Sequence, residues 1–318
     1  MALAPALVFI ALAADHAYLL DFWHHLARGR AIVEQGAMID HDLFTFTIHG
    51  QAFQDVNWLT QVGYFLLFDW GGLALVRVVN ALLLAATLFW LVVICRRSSA
   101  STGLAAAAAV AVFLGMWQVL TIRPQSLSFL LFVAVYDFLD RAEQRPAWLL
   151  AIPPLLGLWG NLHGAFPAGL MLIGCYLLGA AWQGWRAGRL FTSTQTWQLL
   201  ACLAASLLAT LLNPYGWGIY QFVGLNSYRS ATRGVDEWLP PRLDLWIGQV
   251  WILSIVLMAG LMAARWLQTR QLPRARDLAL FACFLPLSIR STRMVPWWLI
   301  VCAPLATAWL AETVAASA

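Results

Sequence analysis

The stretch GLALVRVVNALLLAATLFWLVVIC, residues 72–95, contains a single charged residue, Arg77. About 20 consecutive apolar residues are enough for a helix to cross the hydrocarbon core of a membrane, so the stretch predicts a membrane-spanning helix. Arg77 and Asn80 lie near one end of it. Because an unpaired polar group is costly within a membrane, we expect both side chains to face other protein or a wet cavity.

The composition of the whole chain agrees with this helix. Of the 318 residues, 62% are hydrophobic and 11% are charged, and the mean hydropathy is +0.73. So few polar residues could not cover a water-soluble domain of this size. We therefore expect an all-α, polytopic integral membrane protein, with residues 1–318 forming a single transmembrane domain of about ten transmembrane helices. The first span lacks a basic N-terminus and a cleavage motif, so it is expected to remain as a helix. The predicted spans are about 3–20, 72–95, 102–121, 125–140, 147–160, 164–183, 197–213, 248–266, 277–290 and 294–313.

The distribution of arginine predicts the orientation of the chain. All 19 basic residues are arginine. If the N-terminus is cytoplasmic, ten of them fall in four short cytoplasmic loops, in keeping with the positive-inside rule. The longest loops, about 21–71 and 214–247, are then extracytoplasmic, and the expected location is the inner (cytoplasmic) membrane of a bacterium. Scattering of the arginines among apolar runs argues against nucleic acid as a partner.

The stretch DFWHHLARGRAIVEQG, residues 21–36, follows the first apolar run and is rich in titratable groups. Its polar residues recur at the spacing of one helix face, which predicts an amphipathic helix in the membrane interface that ends at Gly36. The polar face is either a solvated stripe or one wall of an active-site cavity, and the loop that follows could bring Asp40 and Asp42 back towards it. The polar face comprises Asp21, His24, His25 and Arg28, and the apolar face Phe22, Leu26 and Val33.

Most other unusual polar residues also fall on the predicted extracytoplasmic side. His163, in NLHG, either has a functional role or satisfies backbone carbonyls at a tight bend. Asp236 and Glu237 either contact an acceptor or help to anchor the chain at the membrane interface. The chemistry of the protein, if it is an enzyme, is therefore expected on this side.

Carboxylates and arginines together suit glycosyl transfer from a phosphate. Breaking a glycosyl–phosphate bond develops positive charge on the sugar carbon and negative charge on the departing phosphate, so a base and cations are needed. Asp21 or Asp42 is the candidate base. Arg123, Arg290 and Arg293 either hold the phosphate in bidentate fashion or snorkel towards lipid headgroups.

The order of several motifs resembles bacterial membrane proteins related to the GT-C glycosyltransferases. The opening stretch is followed by D-x-F-T-F-T at 42–47 and by Trp-Leu at 58–59, and later by RPQ, NLHG, NPYG, EWLPP and RSTRMVPWW. No single motif is decisive, but together they cover nearly the whole chain. The chain departs from the pattern at Asn57, where an acidic residue is expected, and at Leu43, where proline is common.

This resemblance implies a GT-C-like fold and a polyprenyl-phosphate sugar donor, with a glycan, lipid or protein as acceptor. In that superfamily an acidic residue of the first outer loop serves as base or metal ligand, and by position this role falls on Asp21, with Asp42 second. A divalent metal, Mg or Mn, held by Asp21, Asp42 and His24 or His25 is a further hypothesis. Membrane lipid is an expected partner. The candidates for substrate binding are His24, His25, Arg123, His163, Asp236, Glu237, Arg290 and Arg293.

Two other classes remain open, a transporter or lipid flippase and an inactive protein that keeps the GT-C-like fold. A transporter is expected to place ionisable residues near the bilayer midplane and often to contain repeated halves. Here most of the unusual polar residues lie at one membrane face, and the sequence has no evident repeat. Asn57 and the short length favour the inactive scaffold. Glycosyl transfer is the preferred interpretation.

Reporter fusions test the predicted orientation. Because the loops alternate between the two sides, a reporter placed after Arg97 or Arg189 should be cytoplasmic. One inserted near Gly50 or Ser230 should be extracytoplasmic. The measurement is the activity of two reporters that each work on only one side of the membrane. The same location for Gly50 and Arg97 would contradict the arrangement.

Overall fold

The computed structural model describes residues 5–7, 9, 21–47, 49–117 and 120–317. Within these residues the chain is helical and forms no β-strand, apart from one isolated bridge between His41 and Ala52. The predicted span 3–20 lies almost wholly outside the described residues. Three short 3-10 helices cover Pro146–Ala151, Asp236–Trp238 and Thr292–Met294. The α-helices are α1 (Phe22–Gln35), α2 (Trp58–Ser99), α3 (Thr102–Met116), α4 (Gln125–Ala142), α5 (Ile152–Leu162), α6 (Pro167–Arg186), α7 (Thr194–Ala209), α8 (Gly218–Thr232), α9 (Trp246–Thr269), α10 (Ala275–Arg290) and α11 (Val295–Ser317).

The all-α class is confirmed, and every predicted span from 72–95 onwards overlaps a helix. The span 147–160 overlaps the 3-10 helix Pro146–Ala151 and α5, and the span 102–121 runs past the end of α3 at Met116. Three of the described helices are long and apolar enough to cross a membrane: Trp58–Ser99, Trp246–Thr269 and Thr292–Ala315. The apolar helix Thr102–Met116 is shorter. Association with a membrane is thus supported by these helices, whereas the number of crossings stays a prediction.

Helix α2 begins earlier than predicted, at Trp58, and is broken where the apolar stretch starts. Gly71 and Gly72 have non-helical backbone angles, and Gly72 has a φ of 61°, which favours a residue without a Cβ atom. The first half of α2, before this break, contacts the polar loops: Gln61 Nε2 donates to Asp55 Oδ1 at 2.9 Å, and Thr60 Oγ1 donates to the carbonyl oxygen of Leu162 at 2.7 Å. Asn80 in the second half is buried, as the sequence predicted.

Aromatic side chains join α4 to α11 near the first residues of both helices. The ring centroids of Phe129 and Phe132 each lie 5.0 Å from that of Trp297. The neighbouring Trp298 is fully buried and donates a hydrogen bond from its indole nitrogen to Ser254 Oγ at 2.8 Å. Because α4 and α11 begin side by side, the segments that precede them also lie together.

Helix α1 packs against the first half of α2. The sequence predicted Val33 on the apolar face of α1, and this assignment is wrong. Val33 is 41% exposed, whereas Ile32 is buried together with Phe22 and Arg28. The reason is the close approach of the two helices at Gly29, where an added Cβ would lie 2.0 Å from the carbonyl oxygen of Gln61. This contact turns the face with Gly29 and Ile32 inward and leaves Val33 outside. The predicted end at Gly36 is confirmed, with a φ of 63°.

We expect Gly29→Ala to weaken the docking of α1. The new methyl group would clash with backbone, which cannot move aside as a side chain can, and overpacking of this kind costs about 1–3 kcal/mol. Thermal unfolding in detergent and protease cleavage within residues 36–57 measure the loss. Gly63→Ala is the matched control because nothing lies within 4 Å of an added Cβ there. Equal stability of the two variants would contradict this account.

Candidate functional site

Four charged side chains meet where α4 and α11 begin, and we call them the arginine cluster: Asp21, Arg123, Glu237 and Arg293. Arg123 Nη2 lies 2.6 Å from Asp21 Oδ2, and Arg123 Nη1 lies 3.0 Å from Glu237 Oε2. Arg293 Nη1 pairs with the other carboxylate oxygen of Glu237. The chain of ion pairs alternates in charge and is partly exposed along its length.

Hydrogen bonds to backbone carbonyl oxygens hold the turn that carries Glu237, and none of them involves the Glu237 carboxylate. Ser291 Oγ donates to the carbonyl oxygen of Glu237 at 3.0 Å. The backbone N–H of Thr292 donates to the carbonyl oxygen of Leu239 at 2.8 Å. Residues 237–239 are therefore tied to the connection between α10 and α11, and the carboxylate of Glu237 could leave the arginines without release of the turn.

A cavity of about 280 Å³ lies beside the arginine cluster. Arg293 and Trp238 line it on the side of the cluster, and the Arg293 guanidinium carbon lies 5.1 Å from the centre of the Trp238 ring. Asn57 and His163 also contribute to its wall. Much of the remaining wall is apolar and comes from Val56, Met171, Phe222, Val223, Leu287, Met294 and Trp297.

His163 follows the end of α5 and is buried in the wall of this cavity. Its Nδ1 lies 2.7 Å from Ser128 Oγ, and the same oxygen accepts a hydrogen bond from Trp159 Nε1 at 2.7 Å. Burial is the main cause that holds the pKa of His163 well below its ordinary value, and the charge of Arg293 adds to it. The ring is therefore neutral, and Nε2 is the nitrogen that Ser128 leaves unused.

A second group of polar residues, the loop cluster, surrounds the buried guanidinium of Arg28. We define it as His25, Arg28, Asp42, Asp55 and Gln61. Arg28 is 4% exposed, and its two Nη atoms each lie 3.5 Å from a carboxylate, one of Asp42 and one of Asp55. Its guanidinium carbon also lies 3.7 Å from the centre of the Phe53 ring. This cation fixes the loop 36–57 against α1.

The two carboxylates beside Arg28 have different environments. Asp42 Oδ1 accepts hydrogen bonds from the backbone N–H groups of Phe44 and Thr45, and the Thr45 bond, at 2.7 Å, is the main cause of the lowered pKa of Asp42. Burial raises the pKa of Asp55 despite the opposing charge of Arg28. Asp42 is therefore the charged partner of Arg28 over a wider range of pH than Asp55.

His25 joins the loop cluster through the amide of Gln61. Gln61 Nε2 lies 3.1 Å from His25 Nδ1 and donates to Asp55 Oδ1 at 2.9 Å. Because the amide nitrogen of Gln61 is a donor, His25 Nδ1 must carry no proton in order to accept this hydrogen bond. Burial is the first cause that lowers the pKa of His25 to about 3, with His24 and Arg28 as further causes, so the ring is neutral near pH 7.

The structure brings some of the predicted site residues together and separates others. Asp21, Arg123, Glu237 and Arg293 form one cluster, and His163 lines the cavity beside it. Asp42 returns to α1, as the sequence suggested, but contacts Arg28 instead of Asp21. His24, Asp236 and Arg290 are exposed and belong to neither cluster.

The predicted metal ligands do not lie in one group. Asp21 pairs with Arg123, and Asp42 pairs with Arg28. Among the described residues no group of three or more histidine, cysteine or acidic side chains is arranged to hold a metal ion. A site for Mg or Mn at Asp21, Asp42 and His24 stays a prediction.

Sequence reasoning did not single out Asp55, Tyr215 or Ser128. The backbone N–H of Asp55 donates to Tyr215 Oη at 2.8 Å, across 160 positions of sequence. The motif NPYG forms a turn in which the backbone N–H of Tyr215 donates to Asn213 Oδ1 at 2.7 Å. An acidic residue within the mostly apolar AFQDVNWL was the available signal for Asp55. Ser128 gave none.

Charged residues also gather at the opposite end of the bundle. Asp137 is buried within α4 and accepts hydrogen bonds from Trp90 Nε1 at 3.0 Å, from Arg141 Nε at 2.8 Å and from Arg97. A cavity of about 310 Å³ lies there, lined in part by Arg97 and Arg276. Asp137 was missed because it lies inside the predicted span 125–140, whereas its partners Arg97 and Arg141 belong to the predicted short loops.

No protein-family model matches this chain, and neither a curated protein nor a solved structure is detectably similar to it. The function is therefore argued from the chemistry of the site.

The neutral state of His25 predicts a dependence of stability on pH. Its pKa in the folded protein, about 3, lies below the ordinary value of 6.5, so as the pH falls the unfolded chain takes up this proton first. The contribution of neutral His25 to the free energy of unfolding is complete above pH 6.5 and is lost as the pH falls towards 3. We expect His25→Gln, which keeps an acceptor for Gln61, to reduce the loss between pH 7.5 and 5 by at most about 2 kcal/mol. Chemical unfolding in detergent at both pH values measures it, and equal losses would contradict the assignment.

Proposed function

We propose that this chain is an integral-membrane glycosyltransferase that transfers a sugar from a polyprenyl-phosphate donor to an acceptor. The observation that carries the proposal is the meeting of Asp21, Arg123 and Arg293 beside a cavity. A carboxylate and two guanidinium groups are the parts that transfer from a glycosyl phosphate needs, and here they belong to one connected chain of ion pairs.

The proposed reaction assigns one task to each charge. The Asp21 carboxylate accepts the proton of an acceptor hydroxyl while the acceptor oxygen forms a bond to the anomeric carbon. The bond from that carbon to the phosphate oxygen breaks, and the polyprenyl phosphate leaves with its electron pair. Arg123 and Arg293 stabilise the negative charge that develops on the leaving group. Asp21 is 50% exposed at its side chain, so an acceptor from water can reach it.

The cavity suits the lipid-linked part of such a donor. Its wall combines Arg293 at one side with apolar residues of α6, α8 and α10. Trp238 lies under the guanidinium of Arg293 and offers a flat ring against which a sugar can pack. A molecule with a phosphate, a sugar and an apolar chain would find a matching surface for each part.

Glu237 occupies both arginines in this structure and must be displaced by the donor phosphate. Its side chain is 30% exposed, and partly exposed ion pairs contribute only about 0–1 kcal/mol. A phosphate that binds two arginines in bidentate fashion makes stronger hydrogen bonds than a single carboxylate. Glu237 thus acts as a competitor that holds the arginines in place until the donor arrives.

The proposal includes a membrane arrangement. Nine described helices, α2 to α7 and α9 to α11, alternate in direction between the two ends of the bundle, and with the span 3–20 they would make ten crossings in a GT-C-like arrangement. Helix α1 would lie in the interface on the extracytoplasmic side of a bacterial inner membrane, next to the arginine cluster. Some of these helices are short, which a tilted or partly re-entrant path accommodates.

One observation favours an inactive protein of the same fold as the second candidate. Asn57 lines the cavity at the position where the GT-C-like pattern has an acidic residue. A carboxamide cannot act as a base, so the proposal depends on Asp21 alone for that role. Activity measurements on Asp21 variants therefore decide between the two candidates.

The test uses the full chain in detergent with a short-chain polyprenyl-phosphate sugar that carries a labelled sugar. Asp21→Asn keeps the size of the side chain and removes its charge, so transfer should fall by about 10²-fold or more, with donor binding retained. Asp244→Asn is the matched control, because Asp244 also pairs with an arginine, Arg242, and is 60% exposed. Full activity of Asp21→Asn would exclude the proposed base.

A second variant tests the displacement of Glu237. Glu237→Gln removes the competing charge and keeps the backbone contacts of the turn, so the labelled donor should bind about tenfold more tightly, a change of about 1.4 kcal/mol. Unchanged or weaker binding would show that the two arginines do not receive the phosphate. No transfer in the unmodified protein, together with tight donor binding, would favour the inactive scaffold.

A further inference from the structure

A wide groove lies at the opposite end of the bundle from the arginine cluster. Its volume is about 1100 Å³. One wall is the last part of α6, from Leu178 to Arg186, together with Ala187 after it. The other wall is the connection between α9 and α10 with the start of α10, residues 270–278. No step of the proposed glycosyl transfer uses it.

The charge of the groove has one sign. Arg186, Arg270 and Arg274 line it, and none of the described residues that line it is acidic. Arg270 lies over the ring of Trp266, with its guanidinium carbon 4.9 Å from the ring centre. Arg274 is 59% exposed and makes a long contact of 3.6 Å with Glu143. A ligand with negative charge would therefore meet three arginines with little competition.

Apart from Gln183 and Gln271, the rest of the groove lining is apolar, and several of its side chains are exposed. Leu178 is 58% exposed, Trp182 51% and Leu272 68%. Exposed apolar surface of this kind marks a binding or membrane-facing surface, and tryptophan beside arginine is typical of the membrane interface. Leu178 precedes Arg186 by eight residues on the same helix, so the apolar wall runs roughly 12 Å from the arginines towards the middle of the bundle.

The two walls are held at a fixed separation. An added Cβ at Gly179 would lie 2.6 Å from Arg276 Cβ, so α6 and the start of α10 are already in closest contact there. Arg265 Nη1 donates to the carbonyl oxygen of Gln271 at 2.7 Å, and Arg265 Nε donates to Glu312 Oε2 at 2.6 Å. The connection between α9 and α10 is thus anchored, and the groove is formed before any ligand binds.

We propose that this groove is a binding site for an anionic phospholipid. The phosphate binds among Arg186, Arg270 and Arg274, since guanidinium groups bind phosphate oxygens in bidentate fashion. An acyl chain lies along Leu178, Trp182 and Leu278. An anionic lipid is favoured over a zwitterionic one because three arginines face the headgroup. The ammonium group of a zwitterionic headgroup would be repelled by them.

The experiment measures thermal unfolding of the full chain in detergent as lipid is added. Phosphatidylglycerol should stabilise the protein in a saturable way, with an apparent affinity at least tenfold higher than that of phosphatidylcholine. Glycerol phosphate, which has the headgroup anion without acyl chains, should not stabilise it at the same concentrations. Equal effects of the two lipids, or an equal effect of glycerol phosphate, would overturn the proposal.

Two variants with the same loss of charge locate the site. Arg186→Gln with Arg270→Gln should weaken phosphatidylglycerol binding at least tenfold. Arg229→Gln with Arg233→Gln, which changes two exposed arginines of α8 and its end, should leave it unchanged. If the first variant does not fold, Arg186→Gln alone replaces it and should weaken binding severalfold. Retention of full affinity by the groove variant, or equal losses in both double variants, would place the lipid elsewhere.

Discussion

The buried guanidinium of Arg28 is the constraint on which the polar end of this protein depends. A buried charge without a partner costs several kcal/mol, and removal of one partner from a buried pair typically costs 3–5 kcal/mol. Arg28 therefore requires the loop 36–57 to return to α1 and present Asp42 and Asp55. Since Asp21 lies at the start of the same helix, two turns earlier, the docking of Arg28 also decides where Asp21 meets Arg123.

The two clusters at this end differ in burial, and burial separates their roles. The pairs of Arg28 are almost fully enclosed, so the free energy of unfolding depends on them and a ligand could not replace them cheaply. The pairs of Arg123 and Arg293 with Glu237 are partly exposed, and their loss costs little. A polar site that exchanges partners needs weak contacts beside strong ones. The buried ion pairs of the loop cluster hold the fold in place, and the partly exposed ion pairs of the arginine cluster can be replaced by a ligand.

The sequence predicted the helices well and the contacts of the site in part. Apolar runs are long and carry a strong periodic signal, which is why spans such as 125–140 coincide with α4. Arg123 and Arg293 were predicted to act together because both lie where spans end on one face. The partner of Arg28 was not predictable, since the choice between Asp21, Asp42 and Asp55 depends on how the loop folds. Asp137 escaped notice because a single acidic residue inside a span has no sequence pattern that reports its distant partners.

The hydrogen bond from the Asp55 backbone to Tyr215 has a consequence for the order of assembly. A chain is made from its N-terminus, and its first parts can fold before later parts exist. The contacts of α1 with the first half of α2 involve residues close in sequence and are available early. The backbone N–H of Asp55 can reach Tyr215 Oη only after 160 further residues have been added. Arg123 can pair with Glu237 after 114 further residues, and Arg293, which also pairs with Glu237, comes 56 residues later still. The polar end of the protein is therefore started by its first helices and completed by its last ones.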